Sequence, residues 1–101
     1  MKSPKTRPFD PAKYLDNDEA IAEYLTDALE TGDPAFVSDA LGVVARARGM
    51  SDVARTAGMS RESLYRALSA DGNPKFETVL RVMHALGLQF SASPAPRKKV
   101  A

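Results

Sequence analysis

Arg61, Glu62, Tyr65 and Arg66 are the residues of this 101-residue chain whose types and spacing point most directly to chemistry on a polyanion. An arginine fork can bond guanine O6 and N7 together, and a glutamate can accept from cytosine N4. On a helix starting at Ser60, Leu64, Ala67 and Leu68 turn inward, which leaves these four outward. Arg61 and Glu62 then lie in the first turn, the part of a recognition helix that enters the major groove. A plainer assignment stays open beside this one. Arg61 and Arg66 can bind phosphate alone, and Glu62 can pair with Arg66 at i, i+4. Ser51 and Ser60, at the starts of two successive helices, can offer hydroxyls and amides to phosphates. Asn73 and Lys75, just past the second of these helices, are candidate phosphate clamps, or else an ordinary turn with a solvated lysine.

Positioning these side chains requires two short helices with a tight turn between them, and residues 50–70 have that form. Ala54 is small where the helices must approach. Gly58 sits at the turn, where a positive φ carries no steric penalty for glycine alone. Val53, Ala57, Met59, Leu64 and Ala67 are spaced to face inward, and Ser60 can cap the second helix. The spacing therefore predicts a helix-turn-helix at residues 50–70. A helical bundle with the same local turn and no role on DNA is the alternative.

Around that unit the chain reads as all-α. Asn17 or Asp18 can cap a first helix to about residue 31, with Ile21, Tyr24, Leu25, Ala28 and Leu29 as its apolar stripe. Gly32 ends it. Asp33 caps a second helix with Pro34 at its first position, and Phe36, Val37, Ala40, Leu41, Val44 and Ala45 form its apolar face up to Gly49. A fifth helix is predicted at about 75–86, with Phe76, Val79, Leu80 and Met83 on one face. Residues 88–92 alternate apolar and polar like a short strand. The expected architecture is a five-helix bundle containing a helix-turn-helix of the phage-repressor class, with a short C-terminal strand. Residues 1–16, with Pro4, Pro8 and Pro11, read as an extended arm, residues 17–92 as one helical domain, and residues 93–101 as a disordered basic tail.

Composition excludes several classes of function. With no cysteine there are no disulfides and no thiolate sites, and one histidine, His84, leaves almost no material for a metal centre. No catalytic residue, metal or cofactor is expected, because the carboxylates form no acid/base pair. There is no apolar run long enough for a membrane span, and residues 1–13 lack the apolar core of a signal peptide, so a cytoplasmic protein is expected. The net charge of +1 hides a strong asymmetry: residues 17–40 carry seven acids and no Lys or Arg, and residues 41–70 carry five arginines against two acids. Such a division fits either two surfaces for two partners or merely solvated helix faces.

The stretches Leu-Tyr-Arg-Ala-Leu-Ser at 64–69 and Gly-Asn-Pro-Lys-Phe at 72–76 resemble the Cro/phage-repressor class of helix-turn-helix domain. Together with Thr-Arg-Pro-Phe-Asp-Pro-Ala-Lys-Tyr-Leu at 6–15 and Gly-Asp-Pro-Ala at 32–35, the chain resembles the addiction-module antidote proteins, short antitoxins related to the HigA type, over about residues 5–92. The resemblance implies a type II antitoxin that blocks a small basic toxin of the RelE/ParE superfamily and represses its own operon by binding double-stranded operator DNA. It places the base-reading positions on Arg61, Glu62 and Arg66. Lys75 departs from the class, which often has a Ser or Thr cap there. The toxin would meet the arm and first helix, with Arg7, Phe9, Tyr14, Leu15, Glu23, Asp27 and Glu30 as the candidate contacts. The strand at 88–92 needs a backbone partner, either the arm or a second subunit, and a homodimer is expected because half-sites mirror two-fold proteins. A free-standing regulator without a toxin and a pure interaction module are the competing readings.

Overall fold

The computed structural model describes residues 15–69 and 71–96. Among them are five helices and no strand: α1 (Asp18–Glu30), α2 (Pro34–Arg48), α3 (Met50–Ala57), α4 (Arg61–Ala67) and α5 (Phe76–Ala85). Residues 1–14 and 97–101 lie outside the described residues, and with them all but residues 15–16 of the expected arm (1–16) and all but residues 93–96 of the expected tail (93–101).

Local sequence accounts for the helix ends. The Asn17 side chain accepts from the Ala20 amide at 2.7 Å and starts α1, while Asp18 and Glu19 lie in the first turn, where the helix dipole favours acids. Asp33 accepts from the Ala35 amide at 3.0 Å and starts α2, with Pro34 at the position where a missing N–H costs nothing. Ser60 accepts from the Ser63 amide at 3.0 Å and starts α4. α3 starts one residue earlier than its serine suggests, at Met50, with no side-chain cap.

The core is built from one stripe of each helix. Ile21, Leu41, Leu64, Val44 and Val82 are its largest fully buried side chains, joined by Leu25, Met50, Val53, Leu68, Met83 and Leu86. Each such side chain contributes roughly 1.5–3 kcal/mol on burial. α3 packs against α2, α4 and α5, and α1 packs against α2. Ser38, the one buried polar side chain among the described residues, donates to the Ala67 carbonyl at 3.3 Å and the Ser69 carbonyl at 3.5 Å. It thereby ties α2 to the end of α4. The Arg48 guanidinium pairs with Asp18, joining the end of α2 to the start of α1.

Several sequence expectations are corrected. The short C-terminal strand is absent among the described residues. The Leu88 amide bonds back to the Met83 carbonyl at 2.9 Å, and Leu88 and Phe90 lie half-buried against the helices, Phe90 stacking on Phe76 at 6.2 Å between ring centroids. The alternation of apolar and polar residues at 88–92 is real. It arises from a single irregular segment resting on helices, with no backbone paired to it among the described residues. α4 ends at Ala67, before residue 70, because the Gly72 amide bonds to the Ser69 carbonyl at 2.8 Å and turns the chain. Lys75 precedes α5 without a side-chain cap. Leu29, Phe36, Phe76 and Leu80 had the spacing of core residues, yet they are 42, 50, 69 and 42% exposed. Each lies at the edge of its helix's apolar stripe, where no neighbouring helix covers it.

Candidate nucleic-acid interface

α3 and α4 are joined by three residues, Gly58 to Ser60. Gly58 has φ +74, and its amide and that of Met59 bond to the carbonyls of Arg55 at 3.1 Å and Ala54 at 2.8 Å. This left-handed closure ends α3 abruptly and sends the chain directly into α4. Ala54 is 2% exposed and Ala57 5%, so small side chains occupy the junction. Leu64 is fully buried beneath α4 and Leu68 is buried just after it, which sets the helix's rotation about its axis.

With that rotation set, Arg61, Glu62, Tyr65 and Arg66 are all exposed, as are Ser51 and Ser60. The Arg61 guanidinium lies 5.7 Å from the centre of the Tyr65 ring, and it donates to the Ser51 hydroxyl at 3.5 Å. The tyrosine ring holds the fork outward over the start of α3, a contact worth about 0.5–1 kcal/mol at an exposed site. Ser51, Arg61 and Tyr65 are therefore brought together. Glu62 has no partner at salt-bridge distance among the described residues, so the proposed pairing with Arg66 is not formed. Asn73 and Lys75 are exposed in the connection into α5, and Asn73 also lines a groove on the α1–α2 side.

Not every arginine of the basic half is free. Arg48 is engaged by Asp18, and Arg55 pairs with Asp52 at 2.6 Å, so both add less to the local field than their number suggests. Arg81 was not among the candidates drawn from the sequence. Its Nη1 lies 3.9 Å from where a Cβ on Gly58 would sit, and its other nitrogen bonds Glu77 at 2.8 Å. Its i, i+4 spacing from Glu77 was visible, but its proximity to the turn depends on how α5 crosses α3.

The candidate protein-binding residues separate differently. Arg7, Phe9 and Tyr14 lie outside the described residues. Leu15, expected as an anchor for a partner, is 5% exposed and belongs to the core, because the chain entering α1 folds over the helices. Glu23, Asp27 and Glu30 are exposed along α1. The phenol of half-buried Tyr24 is pushed above the usual tyrosine range, chiefly by burial and also by the Asp39 charge, with Arg46 opposing.

Among the described residues, no group of three His, Cys, Asp or Glu side chains could hold a metal, and no helix is long and apolar enough to cross a membrane. His84 is exposed on α5.

The chain is similar to known sequences over most of its length. It is 52% identical over 82 residues to an uncharacterized protein of Haemophilus influenzae, a match covering 81% of this chain and 84% of the relative. No solved structure matches. A family model described as "Probable addiction module antidote protein" matches residues 5–94. A match across the arm, the acidic helix and the α3–α4 unit together places this chain in that family of addiction-module antidotes, whose role implies a toxin as partner.

Proposed function

We propose that the chain is the antitoxin of a type II module, with a toxin of the RelE/ParE superfamily as its partner, and that it represses its own operon by binding operator DNA. The observation that carries the DNA-binding part is the α3–α4 unit. A glycine-closed turn and a buried Leu64 hold a serine-capped helix with Arg61, Glu62, Tyr65 and Arg66 exposed together. In this reading α3–α4 is a helix-turn-helix of the phage-repressor class. α4 enters the major groove, Arg61 and Arg66 read guanine edges, and Glu62 reads a cytosine or excludes wrong bases. Ser51, Ser60, Asn73 and Lys75 hold phosphates and set the register. A homodimer presents two copies of α4 to the two half-sites of an operator.

The acidic face of α1 supports the other half of the proposal. Seven acids and no Lys or Arg over residues 17–40 suit a basic toxin surface, with Glu23, Asp27 and Glu30 exposed for it. A free-standing regulator without a toxin is separated from this reading by copurification with the product of the adjacent gene.

The test of DNA binding is titration of the purified chain against the DNA upstream of its own gene over a series of salt concentrations. Affinity falls steeply with salt, with a log–log slope of about −0.9 for each phosphate neutralised. Arg61→Ala weakens binding by roughly 1–3 kcal/mol and relaxes base preference at one position. A flat salt response, or unchanged binding by both Arg61→Ala and Arg66→Ala, refutes the assignment.

A further inference from the structure

A groove of about 310 Å³ opens between the end of α1, the start of α2 and the connection from α4 into α5. Leu29, Pro34, Val37, Leu41, Pro74 and Val79 line it. Leu29 is 42% exposed, and Phe36, between two lining residues of α2, is 50% exposed. These uncovered apolar side chains adjoin a formed groove lined mainly by apolar residues, an arrangement suited to a contact surface. Of the residues assigned to DNA in the proposed function, Asn73 alone lines the groove, and no side chain of α4 does.

The charges beside the groove say what fits it. Glu30 and Asp33 flank the lining residues of the α1–α2 junction, and Asp71 precedes Gly72 on the opposite wall. All three are exposed, and only Lys75 opposes them nearby in sequence. There is no Lys or Arg between residues 15 and 45. A second copy docked here would set acid against acid. A cationic amphipathic segment instead places apolar side chains on the floor and Lys or Arg against the rim.

We propose that this groove is the docking site for a cationic amphipathic segment of a protein partner, with two or three apolar side chains inserted between α1, α2 and Pro74. The proposal deepens the antidote reading and rests on it, since the toxin is the natural donor of such a segment. It shifts the main contact from the outer acids of α1 to the α1–α2 junction, where Glu30 alone of the three candidate acids is next in sequence to a lining residue, Leu29.

The test uses the isotope-labelled full chain and a short helical peptide of leucine and lysine arranged amphipathically, with the same residues scrambled as control. The amphipathic peptide should shift resonances of residues 29–38 and 71–79, and the scrambled peptide should not. Glu30→Lys with Asp71→Lys, both at exposed sites, should weaken binding about tenfold or more. Asp16→Lys with Glu19→Lys makes the same charge change away from the groove and should alter affinity less than about twofold. Thermal melts of both variants confirm that each is folded. Equal weakening by the two pairs, binding spread along α1, or equal binding of the scrambled peptide overturns the proposal. So does a concentration-dependent shift of the groove residues without peptide, which would give the site to a second copy, or a gain in affinity on deleting residues 1–14, which would give it to the chain's own arm. Because the peptide assay involves no toxin, its failure removes the groove proposal and leaves copurification to decide the antidote reading.

Discussion

Replacing Gly58 by alanine tests the turn on which the DNA-binding reading depends. Gly58 has φ +74, and a Cβ built on it meets nothing closer than Arg81 Nη1 at 3.9 Å. The substitution therefore introduces no clash, and its cost is the left-handed conformation itself, about 1–2 kcal/mol for an L-residue with a Cβ. For a domain of this size that lowers the melting temperature by about 5–15 °C. Gly32 supplies the control. It has φ +69 with nothing within 4 Å of its would-be Cβ, so Gly32→Ala carries the same strain at the α1–α2 turn, outside the α3–α4 unit. Both variants should melt early by similar amounts in thermal circular dichroism. Only Gly58→Ala should also weaken operator binding below its melting range, because relief of the strain there reorients α4 against α3. Gly58→Asn should recover part of the loss, since asparagine tolerates this region better. A Gly58→Ala chain that melts within a degree or two of the parent would show that the positive φ is not what requires glycine at the turn.

Gly72 answers to a different cause. A Cβ there would lie 2.4 Å from the Ala67 carbonyl oxygen and 2.5 Å from that of Arg66, so Gly72→Ala should destabilise more than Gly58→Ala and displace the end of α4, seen as amide shifts over residues 66–69. Ser38→Ala removes the two long hydrogen bonds to the carbonyls of Ala67 and Ser69, and urea unfolding should show a loss of about 1 kcal/mol with an unchanged slope. The raised pKa of Tyr24 means that the folded chain holds its phenol proton to higher pH than the unfolded chain does. That contribution is intact below the ordinary tyrosine range and is lost as pH rises through the folded value. Stability therefore falls with pH in this alkaline window, and Tyr24→Phe should remove that part of the slope in urea titrations at successive pH values.

Much of the framework was legible because it is set by neighbours in the chain. Asn17, Asp33 and Ser60 cap their helices through bonds to amides two or three residues ahead. The rotation of α4 followed from the apolar spacing of Leu64 and Leu68, which is why Arg61, Glu62, Tyr65 and Arg66 are exposed as expected. The strand at 88–92 was misread because period-two alternation reports only that one side of a segment is covered. It does not report whether a paired strand or a bed of helices does the covering. Leu29, Phe36, Phe76 and Leu80 were misread for a related reason: helical spacing assigns a residue to a face, and only the neighbouring helix decides where coverage stops.

By itself the sequence determined the capped starts of α1, α2 and α4, the closure at Gly58 and the separation of an acidic block from a basic half, because each depends on residues within a few positions of one another. Only the tertiary structure decided that Leu15 is spent in the core, that Arg48 is held by Asp18, that Arg81 stands beside the α3–α4 turn and that a largely apolar groove lies at the α1–α2 junction. Those features join residues far apart in the chain, and their distances depend on how helices cross once their apolar stripes are buried, which no local spacing encodes.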